Sequence, residues 1–176
     1  MPCPHWTISG KKAFVDPGDP PLLLPEMIRM VQTQDCLVRE AGLADAPGIA
    51  WLVTQLGYPA APEEMEERLK TLLSRQDYRL FVAEISKTLV GMVGGYVAYA
   101  LEFTPPYGRL IGLVVDENYR RAGIGRLLMS RIEQWLREQG AVLLLITSGK
   151  QRVQAHSFYK RLGYVETGLR FAKQLE

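Results

Sequence analysis

An apolar run from Arg109 to Val115 leads through Arg120-Arg121-Ala122-Gly123-Ile124-Gly125 into an amphipathic run beginning at Arg126. No other stretch constrains the fold as strongly. A strand that turns through glycines into a helix leaves backbone N–H groups exposed, and these donors, the positive end of the helix dipole and two arginines together form an anion site shaped for phosphate. Two familiar phosphate loops are excluded by spelling: a P-loop needs Gly, four residues and Gly-Lys-Ser/Thr, and a dinucleotide fingerprint needs a third glycine where Leu128 stands. Gly123 and Gly125 could also form a plain tight turn, with the arginines a solvated surface pair.

The chain has 176 residues, 47% of them hydrophobic and 23% charged, which suits one globular domain with its own core. Its 21 basic and 19 acidic residues leave a formal charge of +2, so no strong field recruits nucleic acid or an anionic membrane. DNA binding through Arg120, Arg121, Arg126 and Arg131 would predict steeply salt-dependent affinity, and the near-neutral charge speaks against it. Cys3 and Cys36 are too few and too far apart for a disulfide framework or a Cys-x-x-Cys metal site, and with His5 and His156 the only histidines no metal is expected. No apolar run approaches the ~18 residues of a membrane helix, and the N-terminus lacks a basic region followed by an apolar core. The expectation is a soluble, cytoplasmic protein.

Residues 1–34 are rich in proline and glycine and read as an extension, although Trp6, Ile8, Phe14 and Leu22 to Leu24 offer apolar surface. Residues 35–176 read as a single domain. A short strand at Cys36 to Glu40 precedes a helix opened by Asp45 and Pro47 that runs to about Leu56. A second helix starts near Pro62, with Met65, Leu69, Leu72 and Leu73 at helical spacing and Glu63, Glu64, Glu66 and Glu67 at its positive end. Those glutamates could attract a cationic amine, but Glu64 with Arg68 and Glu66 with Lys70 are i, i+4 partners on an exposed face, and that reading is preferred.

Tyr78 to Ile85 and Leu89 to Leu101 form a predicted hairpin across Ser86 to Thr88, with Gly91, Gly94 and Gly95 marking a bulge or a close approach. After the central strand, the helix buries Ile124, Leu128, Ile132 and Trp135 and stops at Gly140. Then come a strand at Ala141 to Thr147, a helix near Arg152 to Leu162 ended by Gly163, and terminal strands about Tyr164 to Glu166 and Leu169 to Gln174. A hairpin followed by strand-helix-strand units implies a mixed α/β sheet flanked by helices.

The second motif lies after the Val142 to Ile146 run: Arg152-x-x-Ala155-x-x-Phe158-Tyr159-x-x-x-Gly163-Tyr164. Together with Arg-x-x-Gly-x-Gly, in this order and strand context, it resembles the Gcn5-related N-acetyltransferase (GNAT) family from about Asp35 onward. Leu56-Gly57-Tyr58-Pro59 and the acidic helix are similar to a bacterial branch of aminoglycoside-acetyltransferase-like or uncharacterised members. The resemblance implies an α+β, mostly antiparallel central sheet that splays between the fourth and fifth strands to admit the pantetheine arm of acetyl-CoA.

By the same resemblance, Leu113, Val114 and Val115 meet the pantetheine, and the stretch Arg120, Arg121, Ala122, Gly123, Ile124, Gly125 and Arg126 holds the pyrophosphate. Arg152, Ala155, Phe158 and Tyr159 complete the coenzyme site. The implied reaction transfers acetyl from the thioester to a primary amine of a small molecule or peptide through a tetrahedral intermediate. The N–H of Val115 stabilises the oxyanion, and Tyr159, a phenol of pKa ~10, is the general acid for the departing thiolate. Phe158 is read as packing. Where many relatives carry a glutamate in the central strand, this chain reads Leu110-Ile111-Gly112, so Glu102, Glu84 and His156 are the candidates for a base, unless water alone takes the proton. The competing reading is an inactive acetyl-CoA sensor or interaction module. Relatives are often homodimers.

Overall fold

The structure, a computed structural model, describes residues 35–175; the proline-rich extension expected over residues 1–34 lies outside the described residues. Strand β1 (Leu37–Glu40) leads through a short 3-10 turn into helices α1 (Ala46–Gln55) and α2 (Pro62–Leu73). Strands β2 (Tyr78–Ile85), β3 (Thr88–Ala98) and β4 (Tyr107–Val115) follow, then α3 (Ile124–Glu138), β5 (Leu144–Ile146) and α4 (Val153–Arg161). The strands lie side by side in chain order, antiparallel from β1 to β4, with β5 parallel to β4. This is the mixed, mostly antiparallel sheet expected from the sequence.

The hairpin between β2 and β3 closes over only two residues, Ser86 and Lys87, whose φ angles of 49° and 67° are both left-handed. That geometry matches the twist of the paired strands, and here it is reached without glycine or asparagine.

Because strand side chains alternate, the sheet presents two apolar faces. One carries Phe81, Ala83, Val90 and Val93 against Ile124, Leu128, Ile132 and Trp135 of α3, with Phe158 and Tyr159 of α4 at its margin. The other carries Leu80, Val82, Met92 and Val114 against Ile49, Leu52, Met65 and Leu69 of α1 and α2. Each fully buried aliphatic side chain contributes roughly 1.5–3 kcal/mol, so the sheet is fixed from both sides. Arg39 ties the edge together: its guanidinium donates to Asp45 at 2.8 Å and to Glu84 at 2.8 Å, joining β1, β2 and the 3-10 turn. These bonds hold the Asp45 carboxyl below its ordinary range.

Three expectations are corrected. The strand expected to reach Leu101 ends at Ala98, and the strand expected from Ala141 is only Leu144–Ile146. Residues 164–175 form no strand, and Val165, Leu169 and Phe171 are exposed there. Alternating apolar residues make a strand only when an edge pairs with them, and no edge among the described residues does so.

Candidate active site

A backbone bulge builds the site. Across β3 and β4, Gly94 pairs with Gly112 but Gly95 pairs with Leu110, so Ile111 is an extra residue on β4. Successive strand residues turn their N–H and C=O to opposite edges, and one inserted residue reverses that parity. Before the bulge, Gly108 faces β5, donating its N–H to the Leu143 carbonyl at 2.7 Å; after it, Asp116 faces β3, donating to the Val90 carbonyl at 2.9 Å. The backbone groups of Leu113 and Val115 are therefore turned to the β5 side. Yet β5 pairs with β4 only from Gly108 to Leu110 and ends at Ile146, so beyond that point no strand among the described residues covers this edge.

A cleft of about 830 Å³ opens there, floored by Leu110 to Leu113 and walled by α1, α2, the segment from Ile146 to Arg152, and Tyr159. Its volume falls within the usual range for small-molecule sites. Of the predicted residues, Leu113, Arg152 and Tyr159 line it. Val114 does not: its side chain is buried, and by the same parity its backbone turns to β3.

The loop from Arg120 to Arg126 lies just past the C-terminal end of β4. Arg121 and Gly123 both have left-handed φ angles, 69° and 84°, and Gly123 is the N-cap of α3. A 15-residue helix beginning at Ile124 concentrates orphan N–H groups and positive dipole at this corner. The Ile124 and Gly125 amides occupy its first turn, whereas the Arg126 amide donates back to the Gly123 carbonyl at 2.9 Å. That inward bond corrects the expectation that donors extend through Arg126. The Ile124 side chain is buried in the core, so only its backbone can serve a ligand. Ala122 is half-buried, and the side chains of Arg121 and Arg126 are exposed. Arg120 donates its Nε–H to the Val115 carbonyl at 3.1 Å, folding the loop over the end of the open edge.

From α4, Phe158 packs beneath this loop: a Cβ on Gly125 would stand 3.2 Å from Phe158 Cζ, so this glycine makes room for an aromatic ring. Ala155 is half-buried on the same helix. Tyr159 stacks edge-to-face with Phe158 and Tyr164, and burial pushes its hydroxyl above the ordinary tyrosine pKa, with Arg152 opposing. Tyr164 in turn donates its hydroxyl hydrogen to Glu133 of α3 at 2.6 Å, which fixes the aromatic cluster. Arg152, the residue that starts α4, reaches across to donate to the Leu56 carbonyl at the end of α1, at 2.8 Å.

Asp116 is a site-forming residue that the sequence reading missed. It is 6% exposed and accepts from Trp51 Nε1 at 3.2 Å, Gln55 Nε2 at 2.8 Å and the Asn118 amide at 2.8 Å. The Gln55 side-chain Oε1 also accepts from the Glu117 amide at 3.0 Å, so α1 is clamped to the start of the phosphate-shaped loop. A lone aspartate after a strand carries no local signal of this, because its partners lie on a distant helix.

None of the candidate bases reaches the cleft. Glu102 is exposed in the loop after β3, at the opposite end of β4 from Val115. Glu84 is bonded to Arg39, and His156 is half-buried on α4 but does not line the cleft. No aspartate or glutamate lines it among the described residues. The acidic residues of α2 are used as their spacing predicts, Glu64 pairing with Arg68, and Glu66 and Glu67 with Lys70.

The model of the Acetyltransferase (GNAT) family matches residues 47–164. N-acetyltransferase 8 of Homo sapiens is 30% identical over 61% of this chain, which spans about half, 48%, of that protein. An aminoalkylphosphonate N-acetyltransferase of Salmonella typhimurium is 29% identical over 85% of this chain and 100% of its own length. Among solved structures, an aminoglycoside N-acetyltransferase in complex with CoA superposes with a TM-score of 0.72 at 15% identity, covering 80% of this chain and 94% of that one, a likeness of fold alone.

Proposed function

Since this chain belongs to the acetyltransferase (GNAT) family, we propose that its cleft transfers an acetyl group from acetyl-CoA to the primary amine of a small molecule or peptide by direct attack. Acetyl-CoA is the family's co-substrate, and relatives are named for small-molecule amine acceptors. The observation that carries the reading is the uncovered β4 edge from Leu113 to Val115 beside Tyr159. An extended amide-bearing arm can occupy that edge as a missing strand would.

In this reading the Leu113 backbone groups bind the pantetheine amides, and the amides of Gly123, Ile124 and Gly125 hold the diphosphate, with Arg121 and Arg126 adding charge. The Val115 N–H, turned to the open edge, donates to the oxygen on which negative charge develops. Its carbonyl is already held by Arg120, so the end of the edge is rigid when the charge appears. Tyr159 gives its hydroxyl proton to the departing sulfur as the carbon–sulfur bond breaks, and the proton lost by the attacking nitrogen, relayed through water, restores the phenol. Burial raises its pKa, so it remains protonated throughout the neutral range and loses that proton only above the ordinary tyrosine value.

With no carboxylate lining the cleft among the described residues, the acceptor loses its proton to water before attack. The rising limb of kcat/KM against pH then follows the acceptor's own amine pKa and moves when the acceptor is changed. A cytoplasmic homodimer belongs to the same proposal.

Thiol release from acetyl-CoA over a panel of amines tests it. Release with at least one amine, and a fall in kcat of about 10²–10⁴-fold for Tyr159→Phe with coenzyme affinity kept, is the expected result. Coenzyme bound without release for any amine would identify a sensor instead.

A further inference from the structure

The acceptor's chemical class can be read from the charges around the cleft, and this step rests on the acetyl transfer proposed above. We infer that the acceptor carries an anionic group, a carboxylate or a phosphonate, held by the guanidinium groups of Arg68 and Arg170 while its amine faces Tyr159. Three arginines, Arg68, Arg152 and Arg170, line the cleft, and no carboxylate among the described residues lines it with them. A polycation entering such a cleft meets like charge at close range, whereas an oxyanion meets donors arranged for it.

The arginines are not equivalent. Arg152 spends one donor on the Leu56 carbonyl and stands by Tyr159, at the coenzyme's reactive end. Arg68 stands on α2, on the opposite wall, where its partner Glu64 is more than half exposed, and a guanidinium with five N–H donors retains several for a ligand. Arg170 has no hydrogen bond or ion pair with any described residue, yet it faces the cleft. Nor do the other acids of α2 offset this charge: Glu63 and Glu66 face a separate hollow beside Pro47, and Glu67 is bonded to Lys70.

Initial rates of thiol release with matched amines test the assignment: aminoethylphosphonate and β-alanine for the two oxyanions, ethanolamine for the neutral case, kanamycin for the polycation. The expected result is a kcat/KM for one or both oxyanions at least about tenfold above ethanolamine. Arg68→Gln and Arg170→Gln should each bring that ratio close to one while leaving the Kd for acetyl-CoA unchanged, which also shows that the variants fold. Which oxyanion leads separates carboxylate from phosphonate. Equal rates for neutral and anionic amines, or a preference for kanamycin, would overturn the inference and leave the acetyltransferase reading standing. Weakened coenzyme binding in both variants would overturn it too, by assigning the arginines to the coenzyme. No release from any amine, with acetyl-CoA bound, would sink the acetyltransferase reading and this one with it.

Discussion

At the scale of the residue, two glycines two positions apart do different work. Gly123 has a φ of 84°, a conformation that costs an L-residue about 1–2 kcal/mol, and a β-branched side chain more. Gly125 has no such angle but lies against Phe158. Gly123→Val is therefore predicted to raise the Kd for acetyl-CoA by at least tenfold and to lower the melting temperature by several degrees, at roughly 2–4 °C per kcal/mol in a chain of this size; isothermal calorimetry and a thermal scan check the two together, and an unchanged Kd would count against the loop as the diphosphate site. The spelling of the sequence separated this loop from other phosphate loops, but it could not separate the two roles. The contact between Gly125 and Phe158 spans two elements. The same holds for Arg152, whose side chain reads as a coenzyme ligand by motif and is found bonded to the carbonyl of Leu56.

Among elements, the decisive relation is between α1 and the loop after β4, and Asp116 carries it. Removing this buried acceptor deletes its hydrogen bonds from Trp51, Gln55 and the Asn118 amide, each with a net contribution of about 0.5–1.5 kcal/mol. Asp116→Ala is predicted to lower stability by that order in chemical denaturation and to raise the KM for acetyl-CoA more than it lowers kcat, because Asp116 positions the loop and touches no reacting atom. A wild-type KM would separate the clamp from the coenzyme site. Element order, the buried stripe of α3 and the i, i+4 pairs of α2 were legible in the sequence because each is a local periodicity. The terminal strands were misread for the same reason. Val165, Leu169 and Phe171 have strand-like alternation, but pairing depends on a neighbouring edge that local pattern does not reveal. Glu102, a candidate base by sequence, lies in a loop away from the cleft because β3 stops at Ala98.

On the scale of the whole molecule, the sheet is fixed by helices on both faces, and the splay between β4 and β5 follows from one bulged residue and one short strand. The described residues, 35–175, supply the two core faces and the cleft lining given above. Deleting residues 1–34 is accordingly predicted to leave a folded protein whose Kd for acetyl-CoA changes less than about threefold, roughly 0.7 kcal/mol; collapse of the fold on truncation would show the extension to be part of the core. The splay itself was legible only through the family resemblance, since nothing in the composition of β5 announces that it pairs over three residues. The most direct test of the central claim is an amide chemical-shift titration of the labelled protein with acetyl-CoA. The account predicts the largest shifts at Leu113, Val115, Gly123, Ile124 and Gly125; saturating coenzyme that leaves those five amides unmoved would contradict it.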